Sequence, residues 1–209
     1  MYGKPLDAEG YFAAPAVIEP FRILDATPAS DGGRAIVLTL AENAQGRNHP
    51  PVYLRGIGSA NRPISAYRMN VEDENTAAAE SSRMAFRMAG ITHKDVDACE
   101  LYDCFTYTVE ATLRDYGFFR REEVRDFLTA ERLGPGGLFP VNTSGGMLSE
   151  GYFMGLTPVA EAVMQLRGEC GQRQLGTVPG TKTPEIIVCS DNGGVFHSHA
   201  TLVLGREAK

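Results

Sequence analysis

The sequence predicts a layered α/β fold, a mixed sheet covered by helices in the order βαβαβα-ββ. Three observations point there. The nearly continuous apolar run at 35–40 suits a strand buried on both faces. Stretches of helical period follow, and glycines stop them at Gly90, Gly117 and Gly168. Two closing strands, at 185–190 and 199–204, are joined by Asp191-Asn192-Gly193-Gly194.

In chain order, the first residues, from Met1 through Pro20 and Phe21, are Pro- and Ala-rich with no period and read like the interior of a longer protein. The turn Ser30-Asp31-Gly32-Gly33 leads into the strand at 35–40. A short helical segment at 41–44 ends at Gly46, and the break at 48–51 divides a leading segment, 1–48, from a domain, 49–209. A second strand at 52–57 is halted by Gly56-Ile57-Gly58. The helix at 72–89 takes Asp73 or Asn75 as its cap and places Ala77, Ser81, Met84, Ala85 and Met88 on one face. After a strand at 97–101, Asp103 or Thr106 caps a helix carrying Phe105, Val109 and Leu113. Residues 120–129 read as a charged surface helix and 133–149 as a Gly/Pro-rich loop. Thr157-Pro158 opens the last helix, through Val159, Val163 and Leu166.

Composition narrows the class. With 43% apolar and 22% charged residues in 209, the chain is an ordinary globular one with material for one large core or two small ones. A net charge of −6 gives no nucleic-acid footprint and no attraction to an anionic membrane. Cys99, Cys104, Cys170 and Cys189 lack the CxxC or CxxH spacing of a zinc site, so a reduced, cytoplasmic protein is expected.

Two blocks carry the chemistry. Leu101-Tyr102-Asp103-Cys104-Phe105-Thr106 puts a tyrosine where a strand hands over to a helix. Asn142-Thr143-Ser144-Gly145-Gly146, continuing to Gly151-Tyr152-Phe153, puts a second one after a Gly-rich turn. An α/β protein exposes reactive groups at such strand ends. His197 and His199 alternate along a strand entry; without a third ligand nearby they are expected to pack or to wall a polar cleft, and no metal is expected.

These blocks resemble the thiolase superfamily. The segment 30–38 resembles the end of a thiolase N-terminal half, the Gly145-Gly146 turn through Gly151 the loop bearing Gly-His-Pro, Gln165-Leu166-Arg167-Gly168 the helix after it, and Asp191-Asn192-Gly193-Gly194 the last Gly-rich catalytic loop. The likeness runs over essentially the whole chain and is closest to the sterol-carrier-protein type, whose catalytic block reads His-Asp-Cys-Phe. By that resemblance, 1–48 is the tail of an N-terminal thiolase half and 49–209 a C-terminal thiolase-like domain. A thiolase is about twice this length, and its acyl-accepting cysteine and most coenzyme A contacts lie in the other half.

Both family histidines are tyrosines here, Tyr102 and Tyr152, and a phenol cannot be a cation near pH 7. The double tyrosine resembles the thiolase-like lipid-transfer-protein aldolases of bacterial steroid side-chain degradation. That resemblance implies retro-aldol cleavage of a β-hydroxyacyl-CoA, with coenzyme A present only as part of the substrate, no bound cofactor, and a small OB-fold, zinc-ribbon partner protein. The reaction needs a base, donors for a thioester enolate and an acid for the α-carbon. Tyr102 and Tyr152 are the expected acid and base, in either order. Free tyrosine has a pKa of about 10, so the site is expected to lower one phenol, through donors or the helix start after Tyr102. Gly145, Gly146, Gly193 and Gly194 offer main-chain N–H groups. Cys104 lines the site or packs as a small hydrophobe, Asn142 orients a carbonyl or closes a turn, Asp103 is a cap before it is an orienter, and His197 stands at the cleft wall. The alternatives are a thiolase or acyltransferase acting on β-ketoacyl-CoA, and a non-catalytic subunit that binds CoA esters. The half-length chain is expected to pack against a second copy or a separately encoded N-terminal half.

Overall fold

The structure is a computed structural model that describes residues 5–44, 46, 48–62, 75–194 and 196–208. The chain opens with α1 (Ala8–Ala13), whose start is capped by the Asp7 carboxylate accepting the Gly10 N–H, and a small hairpin of β1 (Ala16–Ile18) and β2 (Phe21–Arg22). Buried Asp25 accepts bonds from the Tyr11 hydroxyl, the Arg22 N–H and the Thr106 hydroxyl, each at 2.7 Å. This one carboxylate ties the opening segment to the start of a later helix.

The strand expected at 35–40 does not form. Val37, Leu38 and Leu40 are 92%, 83% and 65% exposed, and the segment joins no ladder. An apolar run becomes a strand only beside a partner for its N–H and C=O groups, and no described strand lies there. A 3₁₀ turn, Ala41–Asn43, follows where the short helix was expected.

β3 (Tyr53–Asn61) continues past Gly56 and Gly58, where the sequence predicts its end, with a shift of its pairing register between Leu54 and Gly56. These glycines serve packing. A Cβ on Gly58 would sit 1.9 Å from the Ser81 carbonyl oxygen, and one on Gly56 2.2 Å from that of Ala85. Their bare backbone lets α2 (Ala78–Ala89) lie directly on the strand. Gly58→Ala is therefore expected to lower stability by about 2 kcal/mol, read by urea denaturation, since strand and helix must separate.

Of the helix expected at 72–89, residues 72–74, including Asp73, lie outside those described. Ala77 holds the cap position without a side-chain bond, so Asn75 is not the cap, while Gly90 ends α2 at φ 66° as expected. The buried face is Ala78, Ser81, Ser82, Ala85, Phe86 and Ala89. Met84 and Met88, assigned to that face from the sequence, are 40% and 54% exposed, because a helix this close to backbone admits only small residues along its contact line.

β4 (Ala98–Glu100) leads to α3 (Thr106–Asp115). Neither Asp103 nor Thr106 caps α3; Phe105 holds that position without a side-chain bond, Thr106 is spent on Asp25, and Asp103 serves another helix. The charged helix expected at 120–129 is a 3₁₀ turn, Arg121–Glu123, running into α4 (Val124–Phe127); Phe127 stacks on Phe119 at 4.8 Å. Two further short helices follow, α5 (Ala130–Leu133) and α6 (Gly146–Ser149), the latter within the loop expected at 133–149. α7 (Leu156–Arg167) stops at Gly168, φ 80°. β5 (Ile186–Gly193) and β6 (Ser198–Gly205) close the fold. Asp191, Asn192 and Gly193, expected in the connecting loop, pair with Ala200, His199 and Ser198 and so prolong β5.

The main sheet has the order β3-β6-β5-β4, with β4 parallel to β5 and the other pairs antiparallel. Side-chain alternation splits the core. Cys99, Leu101 and Val188 pack with residues of α2 and α3, whereas Ala98, Ile187 and Cys189 pack with Ala162 and Leu166 of α7. The result is a three-layered α/β domain.

Candidate active site

Glu100 and Tyr102 alternate with Cys99 and Leu101, so both belong to the α7 face at the carboxyl end of β4. Tyr102 is 6% exposed; its N–H donates to Ser190 Oγ at 3.0 Å, and its carbonyl accepts from the Thr108 hydroxyl at 3.0 Å. Tyr152, just before α7, meets it edge to face, with centroids 6.0 Å apart and the two phenolic oxygens 2.6 Å apart. The chain thus brings both tyrosines to one hydrogen bond.

The expected lowering of a phenol pKa is not found at Tyr102. Burial, the bond to Tyr152 and the neighbouring acids Cys104, Tyr152 and Asp191 all hold its hydroxyl well above the usual phenol range. The leading influences on it among the described residues are burial and acids, and α3 starts four residues further on. At neutral pH the Tyr102 hydroxyl keeps its proton.

The loop 142–148 is fastened to the strand end by three side chains. Asn142 (φ 52°) both closes a turn, its carbonyl accepting from Gly145 N–H at 2.8 Å, and takes the Leu101 N–H on its Oδ1 at 2.6 Å. Buried Asp103 accepts the Met147 N–H at 2.8 Å and caps α6; burial raises its carboxyl to about 6. Gly146 must be glycine, since at φ 63° a Cβ would lie 2.1 Å from Asp103 Oδ2. The N–H groups around the Gly145-Gly146 turn are therefore largely engaged inside the protein.

The third fastening is Thr143. Its Oγ1 lies 2.7 Å from Glu100 Oε1, 2.8 Å from Glu161 Oε1 and 3.0 Å from Gln165 Nε2. A hydroxyl has one proton and the amide donates to it, so only one carboxylate can accept and the other must carry a proton. Arg173 bonds Glu161 at 2.9 and 3.0 Å and, against the opposing effect of burial, keeps it low, while burial raises Glu100 to about 8. Glu100 is the neutral partner.

The other expected residues scatter more. The half-buried Cys104 thiol is raised by burial and stays protonated. Gly193 ends β5, and Gly194 (φ 57°) turns the hairpin. His197 is half-buried against Ser198. His199 is buried with both ring nitrogens engaged, by Asn192 at 2.5 Å and the Tyr116 hydroxyl at 2.9 Å, and burial depresses it to about 3. Among the described residues no three metal-ligating side chains gather. Glu100 was missed in the sequence, although a lone acid in an otherwise apolar strand signals a buried partner. An open cleft of about 300 Å³, lined by Asp97, Leu138, Pro140 and Lys182 among others, sits at the opposite end of β4, away from the tyrosines. The phenol pair lies just beyond the carboxyl end of β4, the end at which parallel strands present ligands.

A three-layered α/β domain with an acidic and phenolic cluster at a strand end defines the class, and the comparisons name the family. The model of the thiolase C-terminal domain-like family matches residues 58–206, and the chain belongs to that family. It is 34% identical over 172 residues to the 17-hydroxy-3-oxo-4-pregnene-20-carboxyl-CoA lyase of Mycobacterium tuberculosis, covering 80% of this chain and 44% of that protein. It is 35% identical over 162 residues to an acetyl-CoA acetyltransferase of Methanothermobacter thermautotrophicus, covering 76% and 42%. Among solved structures, the Ltp2-ChsH2(DUF35) aldolase superposes with a TM-score of 0.87 at 30% identity, over all of this chain and 53% of that one. The chain spans less than half the length of these curated relatives.

Proposed function

We propose that the chain carries the acid–base half of a lyase that splits a β-hydroxyacyl-CoA by retro-aldol reaction, a steroid side-chain thioester being the substrate class. The observation that carries this is the 2.6 Å contact between Tyr102 and Tyr152, two phenols where a thiolase of the resembling type has imidazoles. Loss of the β-hydroxyl proton breaks the Cα–Cβ bond, a carbonyl product leaves, and the thioester enolate takes a proton from the phenol pair. Tyr102, neutral and buried, suits the donor role. Coenzyme A enters as part of the substrate, and no acyl-enzyme is needed. Likeness to a lyase and to an aldolase supports the reading.

The likeness to an acetyltransferase favours thiolysis of a β-ketoacyl-CoA as the second reading. One assay separates them. The lyase releases acyl-CoA and a ketone or aldehyde from a β-hydroxyacyl-CoA with no free coenzyme A added. Cleavage only of β-ketoacyl-CoA, and only with free coenzyme A, contradicts the proposal.

The division into 1–48 as the tail of one thiolase half and 49–209 as the other belongs to the same proposal. So does a partner: a second copy or a separate N-terminal half, joined by an OB-fold, zinc-ribbon protein, in the cytoplasm. Supporting this, Val37, Leu38 and Leu40 stand exposed, as do Leu54 and Ile57 on β3 at the sheet edge. The four cysteines are free, and no helix among the described residues is long and apolar enough to cross a membrane. Light scattering is expected to show an assembly; a stable monomer contradicts the partner proposal.

A further inference from the structure

If Tyr102 is a proton donor, some other group must take the β-hydroxyl proton. The pairing of β4 with β5 sets Ala98, Cys99 and Glu100 beside Ile187, Val188 and Cys189. Continued by two residues, that register sets Tyr102 beside Asp191, and the bond from Tyr102 N–H to Ser190 Oγ holds the strands together at that point. Asp191 alternates with Ser190 and shares the α7 face with Cys189. Its carboxylate packs on Gly155, three residues after Tyr152, where a Cβ would lie 2.4 Å from Oδ2. Both tyrosine-bearing segments therefore border this one carboxylate. Its Oδ1 accepts the Asn192 N–H at 2.8 Å, and the residue remains solvent-accessible.

Resting on the retro-aldol reading, we propose that Asp191 is the general base, taking the β-hydroxyl proton while the phenol pair delivers one to the α-carbon. The O–H electron pair forms the new C=O bond, and the Cα–Cβ pair becomes the enolate. Tyr102 or Tyr152 protonates that enolate and is left as phenolate. Exchange of the Asp191 proton with the phenolate restores the starting charges, so no oxidant, metal or water is consumed. The titratable groups gathered with Asp191 around Tyr102 are Cys104, whose thiol burial raises, and Tyr152. Burial raises the Asp191 carboxyl from its usual value, opposed by the bond from the Asn192 N–H, and an ionised carboxylate accepts a proton where a neutral phenol does not.

The test is kcat/KM for a β-hydroxyacyl-CoA against pH, with the protein purified as it assembles natively, beside the affinity for a non-cleavable β-hydroxyacyl thioether of coenzyme A. Asp191→Asn is expected to lower cleavage at least about 100-fold and to abolish the acid limb, with thioether affinity within threefold of the parent. Tyr102→Phe is expected to lower the plateau yet keep that limb. Cleavage by Asp191→Asn within threefold of the parent, or loss of thioether binding along with cleavage, overturns the assignment of the base alone. Absence of cleavage by the parent protein overturns the retro-aldol reading itself.

Discussion

Replacing either Tyr102 or Tyr152 by phenylalanine is expected to lower kcat for β-hydroxyacyl-CoA cleavage by roughly 10²- to 10⁴-fold, the range for loss of a positioned acid–base group. The rings meet edge to face at 6.0 Å, so phenylalanine keeps the packing and removes only the hydroxyls. Because the oxygens share a single hydrogen bond, the two are expected to act as a unit. The double variant is accordingly expected to be little slower than the slower single variant. Multiplying losses would show two independent roles. Thermal melts within a few degrees of the parent would confirm that chemistry rather than folding is read.

The second large effect concerns Glu100. Removing its carboxyl in Glu100→Ala leaves a cavity and breaks the bonds to Thr143, costing about 3 kcal/mol in urea denaturation. Glu100→Gln is expected to cost far less, because its amide can donate to Thr143 as the protonated acid does. The pH dependence follows from the same proton. The folded protein holds it to about pH 8, whereas an unfolded carboxyl releases it near 4.5. Between those values the folded state binds the extra proton, so stability falls as pH rises from about 4.5, and the whole contribution is gone above about 8. Glu100→Gln should flatten this fall. A parent protein whose stability rises between pH 5 and 8 while the variant shows no difference would mean that Glu100 is ionised in the fold.

How much was readable in the sequence depends on what each residue's partner is. Helix ends at Gly90 and Gly168 were legible because a left-handed glycine stop is a local property. The tyrosine pair was legible only through two motif blocks, and their contact is a matter of topology, since the start of α7 must come round to the end of β4. Local rules failed wherever a distant partner decided the outcome. Gly56 and Gly58 read as a strand end but are a landing strip for α2. Asp103 read as the cap of the helix that follows it, yet its carboxylate caps α6 forty-odd residues away. The apolar run at 35–40 read as a strand, and pairing, which sequence period cannot supply, is what it lacks. Glu100 and Asp191 went unassigned because their roles depend on which strand lies alongside.

The most direct test of the central idea is a crystal structure of the natively assembled protein with a non-cleavable β-hydroxyacyl thioether of coenzyme A. The α-carbon and β-oxygen of the ligand are expected between the Tyr102 and Tyr152 hydroxyls and the Asp191 carboxylate, with the β-hydroxyl within hydrogen-bonding distance of that carboxylate. A thioester bound elsewhere, with the two phenols still bonded only to each other, would contradict it.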